Sequence, residues 1–158
     1  MSTRTRPLVL LALVPLLLAV GCTKDVDESS TPVKIGPDAE TVSVDLTSTG
    51  STLYEVGPDG ERTYGQNVLR GPATVDGRPA TVELLGNVEY VDGSGPFYGF
   101  LTVKWADGSS LGFNLQGTAV QGDGGATSLT ADLRFIGGSG RLAEAQAAAR
   151  FTGTRDGK

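Results

Sequence analysis

The 158-residue chain has no histidine, one cysteine and one tryptophan. Without imidazole and with a single thiol, the nitrogen and sulfur ligand sets of zinc and copper centres cannot be assembled. A Ser-His-Asp or Cys-His nucleophilic site is excluded on the same ground. No metal, no cofactor and no catalytic residue is expected. A lone cysteine also rules out an internal disulfide, so packing must hold the fold. Basic residues are few, 13 Lys and Arg against 18 Asp and Glu, for a net charge of -5, and they are dispersed singly. A phosphate backbone calls for clustered positive charge, so nucleic acid is not an expected partner. The Gly-rich stretches match neither a phosphate-binding loop nor a dinucleotide fingerprint and are read as turns. Glu83 and Glu89 share one segment but lie roughly 20 Å apart along an extended chain, too far for joint acid-base work on one bond.

The N-terminus carries Arg4 and Arg6, then thirteen uncharged residues, Leu8 to Val20. As a helix this run reaches about 20 Å, short of the roughly 30 Å hydrocarbon core of a bilayer, so residues 1–21 are expected to be a signal peptide. Leu18-Ala19-Val20-Gly21-Cys22 resembles the bacterial lipobox. That resemblance implies cleavage before Cys22, a diacylglyceryl group on its thiol, further acylation such as palmitate on the freed amine, and a place in the cell envelope facing away from the cytoplasm. Two or more acyl chains hold a protein on a membrane durably. Residues 22–40 are rich in Lys, Asp, Glu, Ser, Thr and Pro without periodicity, and read as a flexible tether. Removing Arg4 and Arg6 leaves 11 basic against 18 acidic residues, a mature side-chain charge of -7.

Residues 41–158 suffice for one core. Asp-Gly pairs recur at Asp59-Gly60, Asp76-Gly77, Asp92-Gly93, Asp107-Gly108 and Asp123-Gly124, at intervals of 17, 16, 15 and 16 residues. Asp and Gly tolerate the positive φ of tight hairpins, so each pair marks a reversal. Between the marks apolar residues alternate: Val82, Leu84, Val88 and Tyr90; Phe97, Leu101, Val103 and Trp105; Leu111, Phe113 and Leu115; Leu129, Ala131, Leu133 and Phe135. Period two is the signature of a strand with one face buried. Glycines within these segments suit a sheet that bends to meet itself. The expected fold is all-β, a single antiparallel up-and-down barrel of about eight strands, with a β-sandwich as the competing architecture.

Leu142 to Arg150 has strong helix propensity, yet Ala147, Ala149 and Phe151 alternate against Ala148, Arg150 and Thr152. Propensity is worth tenths of a kcal/mol per residue, whereas an unmade buried backbone hydrogen bond costs about 1 to 3 kcal/mol. A short helical turn over 141–145 and then a strand through Gly153 are expected. Gly137-Gly138-Ser139-Gly140-Arg141-Leu142 with Phe151-Thr152-Gly153, and the Asp107-Gly108-Ser109-Ser110-Leu111 hairpin, resemble the closing turn and strand of the barrel shared by allene oxide cyclases and dirigent proteins. The resemblance covers about the last 60 residues and implies the barrel fold. It departs from the usual pattern at Leu142, Glu144 and Gln146, and no catalytic residue of that family maps onto this chain.

The inward set is almost wholly apolar, so the interior is either filled or holds an apolar ligand, with Tyr90, Trp105, Phe113 and Phe135 as candidate contacts. Leu85, Val91, Tyr98, Phe100 and Val120 fall on the outer face, and Tyr98 with Phe100 is a candidate homo-oligomer surface. Three functions fit: a non-catalytic, membrane-anchored binding protein for a small apolar molecule or another envelope component; a cyclase- or isomerase-like enzyme acting on an apolar substrate inside the barrel; or a purely structural envelope protein. The enzyme reading depends on the register near Tyr54, Glu55 and Arg70, where a one-residue slip exchanges the faces.

Overall fold

A computed structural model describes residues 8–13 and 40–156. Residues 18–22, which resemble a lipobox, and most of the segment read as a tether lie outside the described residues. The chain forms β1 (Leu8–Leu13), β2 (Glu40–Asp45), β3 (Thr47–Val56), β4 (Arg62–Val75), β5 (Arg78–Val91), β6 (Gly95–Trp105), β7 (Ser110–Gln121), β8 (Ala126–Ser139) and β9 (Ala148–Asp156). All hydrogen-bonded pairs are antiparallel, and from β3 to β9 each strand pairs with the next in sequence. One continuous sheet, in sequence order from β3 to β9, sets aside the two-sheet sandwich.

The sheet curls until its ends meet. β2 and β3 are one strand bent at Leu46, which is fully buried. β3 pairs with residues 62–70 of β4, while β2 lies beside the rest of β4. There the Glu40 carboxylate accepts the Asp76 N–H at 3.0 and 3.2 Å. Gly71 is required at this seam, because a Cβ would run into the Asp45 carbonyl. On its other side β2 pairs with β1, and β1 pairs with β9. Residues 8–13 belong to the run read from sequence as a signal peptide, and here their backbone completes the wall. With β2 and β3 counted as one bent strand, the wall has eight, seven from the segment after the tether and the eighth from residues 8–13, which the sequence reading had left out of the barrel.

The Asp-Gly pairs turn the chain as their chemistry dictates. Asp76 and Gly77 have φ of 51° and 67°, and Asp92 and Gly93 have 50° and 77°, the left-handed pair that matches the twist of a two-residue hairpin. Asp107 caps its own hairpin by accepting the Ser109 N–H at 2.9 Å and pairs with Arg78 and Arg141, each at 3.0 Å. The Ser109 N–H and hydroxyl, then the two guanidinium groups, hold its carboxyl below the usual carboxylate range.

Around Leu142 the chain makes only a 3₁₀ turn, Gly140–Leu142, before β9 begins at Ala148. Tertiary pairing overrides the helix propensity of the alanines, and the strand runs past Gly153 to Asp156. Alternation predicts the faces well. Val82, Leu84, Val88, Tyr90, Leu101, Val103, Trp105, Leu111, Phe113, Leu115, Ala131, Leu133, Ala149 and Phe151 are buried, while Leu85, Val91, Tyr98, Phe100 and Val120 are exposed. Burial of each large side chain is worth about 1.5 to 3 kcal/mol before chain entropy is counted. In β8 a register shift opposite Gly112/Phe113 makes Ile136 an extra residue between Phe135 and Gly137; it is exposed, on the outer face where the alternation from Leu129 to Phe135 puts it.

Candidate functional site

The barrel interior has two halves. In one, Val82, Leu101, Val103, Leu111, Phe113 and Leu133 are close-packed, with Phe135 edge-on to Phe113 at 5.6 Å between ring centroids. The other half contains a cavity of about 650 Å³, lined by apolar Leu53, Leu69, Leu84, Val88, Tyr90, Phe97, Leu129 and Phe151. The difference follows from β3. Every residue of β3 is exposed, because beyond Leu46 the bent strand has β4 on one side and no paired strand on the other. The wall therefore parts beside β3, and Leu53 and Glu55 border the opening.

Phe97 and Phe151 meet edge to face at 6.2 Å. Phe97 sits where Gly117 has no side chain; a Cβ there would lie 2.6 Å from the Phe97 ring. The absent methyl sets the position of an aromatic cavity wall, a close approach that only glycine permits.

Arg155, on the final strand, is the cation of the cavity lining. Its guanidinium lies 5.1 Å from the centroid of the Tyr90 ring and donates to Thr127 Oγ1 at 3.4 Å. Its buried Nε has no hydrogen-bond partner among the described residues. Burial raises the Tyr90 phenol above its ordinary value of 10.0, with the Arg155 charge opposing that shift. Glu55, Glu61 and Asp92 also line the cavity, as do Asn67 and Asn87. Glu61 is engaged in its own turn, where it accepts the Asp59 N–H at 3.3 Å.

Of the four aromatic residues singled out from the sequence, the structure brings only Tyr90 to this cavity. Phe113 and Phe135 belong to the packed half. Trp105 is buried at the far end under the Arg141 guanidinium, 5.0 Å from its ring centroid, and borders a separate groove with Arg70, Glu83 and Lys104. Arg70 pairs with Glu83 on the outer face. Sequence reading missed Phe97 and Leu129 as wall residues, although it had both on the inner face. It missed Arg155 altogether. Among the described residues no group of three or more Cys, Asp or Glu is placed to hold a metal ion.

The outer face carries a second feature. Leu85 and Phe100 stand directly opposite each other on β5 and β6, and Tyr98 is two residues from Phe100. Tyr98 is hydrogen-bonded to Tyr64, a contact that raises its phenol above the ordinary value. Tyr64 in turn stands opposite Tyr54 on β3. Three of the four tyrosines thus share one exposed stripe.

No family profile, curated protein or solved structure matches the chain. No helix among the described residues is long and apolar enough to cross a membrane, which says nothing of β-barrels.

Proposed function

We propose that this chain is a bacterial envelope lipoprotein, anchored through acylated Cys22, whose barrel binds a small, mainly apolar molecule in the cavity beside β3. The observation that carries the reading is the contrast between the two halves of one interior, the first packed and the second open over about 650 Å³ behind a predominantly apolar wall. That volume lies in the range of small-molecule sites, where a few polar groups fix orientation within an apolar lining. A neutral fluorescent probe such as N-phenyl-1-naphthylamine should bind one per barrel with micromolar affinity. Leu129→Trp, which fills the cavity from its wall, should weaken binding by at least about tenfold with the fold intact. Equal binding by Leu129→Trp, or none by the unaltered protein, would refute this use of the cavity.

A cyclase- or isomerase-like activity has one specific support. Glu55, Asn67 and Arg155 line the same space, so a carboxylate, a carboxamide and a cation are available to a bound substrate. The likeness of the closing hairpin to allene oxide cyclases and dirigent proteins favours the same barrel class and supplies no catalytic residue. The binding reading is preferred because Arg155, the cation of that set, stacks on Tyr90.

The stripe around Tyr98 and Phe100 supports self-association, since aromatic side chains at the centre of a patch give most of the energy of an interface. The soluble Cys22→Ala protein, lacking residues 1–21, should scatter light as an oligomer. Phe100→Ser with Tyr98→Ser should shift it to monomer without altering its far-ultraviolet circular dichroism. A monomeric unaltered protein would eliminate this surface as a subunit contact.

A further inference from the structure

Processing at the lipobox would remove β1, and β1 is not a peripheral strand. Its backbone pairs on one side with β2, where Leu11 is opposite Val42 and Leu13 opposite Glu40. On the other side Leu11 is opposite Phe151 and Leu13 opposite Ala149. Without β1 a slot one strand wide opens over Val42, Val44, Ala149 and Phe151, all buried in the intact wall. β2 and β9 cannot simply rejoin in the manner of the other strands. Each is antiparallel to β1, so they are parallel to one another, and direct pairing would also require the wall to contract by about 5 Å, one strand spacing. Two open ladders facing each other across two strand spacings, about 10 Å, form a seat for an extended segment.

We propose that in the processed lipoprotein residues Val33, Lys34 and Ile35 of the tether occupy this slot and replace β1. The inference rests on the lipoprotein reading, because it requires that residues 1–21 be removed. The tether enters the barrel at Glu40, the start of the slot's own edge strand. The sequence before it reads Val33-Lys34-Ile35-Gly36-Pro37-Asp38-Ala39, an alternating triplet followed by four residues suited to a reversal. A hairpin with Gly36–Ala39 as its loop sets Ile35 opposite Glu40, Lys34 opposite Thr41 and Val33 opposite Val42. Ile35 then takes the seat of Leu13 beside Ala149, and Val33 takes that of Leu11 beside Phe151. Lys34 falls between Thr41 and Arg150, both exposed on the outer face. The phase is the one that the buried side of the wall demands, and a shift by one residue would direct the lysine inward. Pro32 has no N–H to give to a ladder and bounds the strand. The signal run and the tether triplet thus compete for one seat, held by the first before processing and by the second afterwards.

The test is hydrogen exchange, read by mass spectrometry, on the protein extracted from membranes in detergent. The N-terminal peptide should begin at acylated Cys22, and amides of residues 33–35 should exchange at least about a hundredfold more slowly than an unstructured chain, together with those of β2 and β9. Val33→Asp with Ile35→Asp should abolish that protection in residues 33–35, in β2 and in the slot-facing amides of β9, while the β9 amides bonded to β8 stay protected; Lys34→Asp should leave all of it in place. If the double Asp protein does not accumulate, Val33→Ser with Ile35→Ser should show the same pattern. A chain that retains residues 1–21 would overturn both the processing and this inference. A chain correctly processed at Cys22 but with residues 33–35 unprotected, or with Lys34→Asp as damaging as the inward pair, would overturn the inference alone.

Discussion

Replacing Cys22 with Ala is expected to leave the precursor uncleaved, with residues 1–21 still attached and no acyl group incorporated. In the proposed lipoprotein the thiol is the point of diacylglyceryl transfer, cleavage of a lipobox follows lipidation, and the chain has no second cysteine to substitute for it. The consequence is close to all-or-none, because a protein without two acyl chains has only marginal, reversible affinity for a bilayer. Metabolic labelling with a radioactive fatty acid and the intact mass of the membrane fraction read the result together. Labelling, processing and membrane retention that persist in Cys22→Ala would remove the anchor and the envelope location with it. If the anchor holds, the uncleaved variant should also keep β1 in its slot, so its β2 and β9 amides should stay protected whatever stands at Val33 and Ile35.

Phe113→Ala should cost about 3 to 5 kcal/mol of stability, a loss of roughly 10 to 20 °C in Tm for a domain of this length. Phe113 is fully buried in the packed half of the barrel, edge-on to Phe135 and surrounded by Leu101, Leu111 and Leu133. Removing its ring leaves a void that close-packed strands cannot collapse to fill. Phe97→Ala is expected to cost less, because Phe97 already faces open volume and its removal enlarges an existing cavity. Calorimetry of the two variants side by side distinguishes the halves. Equal losses, or a loss under about 1 kcal/mol for Phe113→Ala, would mean that the interior is not divided into a packed half and an open half.

Much of this architecture is legible in the residues because its determinants are local. Asp76-Gly77 and Asp92-Gly93 adopt the positive φ that their chemistry favours, and between them the two-residue period of β5 fixes which side chains go inward. The same period correctly sends Tyr98 and Phe100 outward. At Ala148–Phe151 the stronger local signal was helical, and long-range pairing with β8 decided the outcome. The cavity was not legible, since it arises from a relation between distant segments. β2 alternates at Val42, Val44 and Leu46 but β3 carries no such pattern, so the bend at Leu46 and the resulting parting of the wall appear only when β4 and β1 are in place. Arg155 escaped notice because an arginine near the end of a chain has no pattern to mark it, and Tyr90 reaches it only through closure of the barrel.

The central claim is that an acylated barrel carries a small apolar molecule in its open half. Native mass spectrometry of the protein released gently from its own membrane tests it most directly. The account predicts a polypeptide starting at Cys22, heavier by its acyl chains, with a noncovalent apolar adduct of one molecule per barrel that disappears in Leu129→Trp. A polypeptide of the expected acylated mass with no adduct in any preparation, or an adduct equally present in Leu129→Trp, would contradict it.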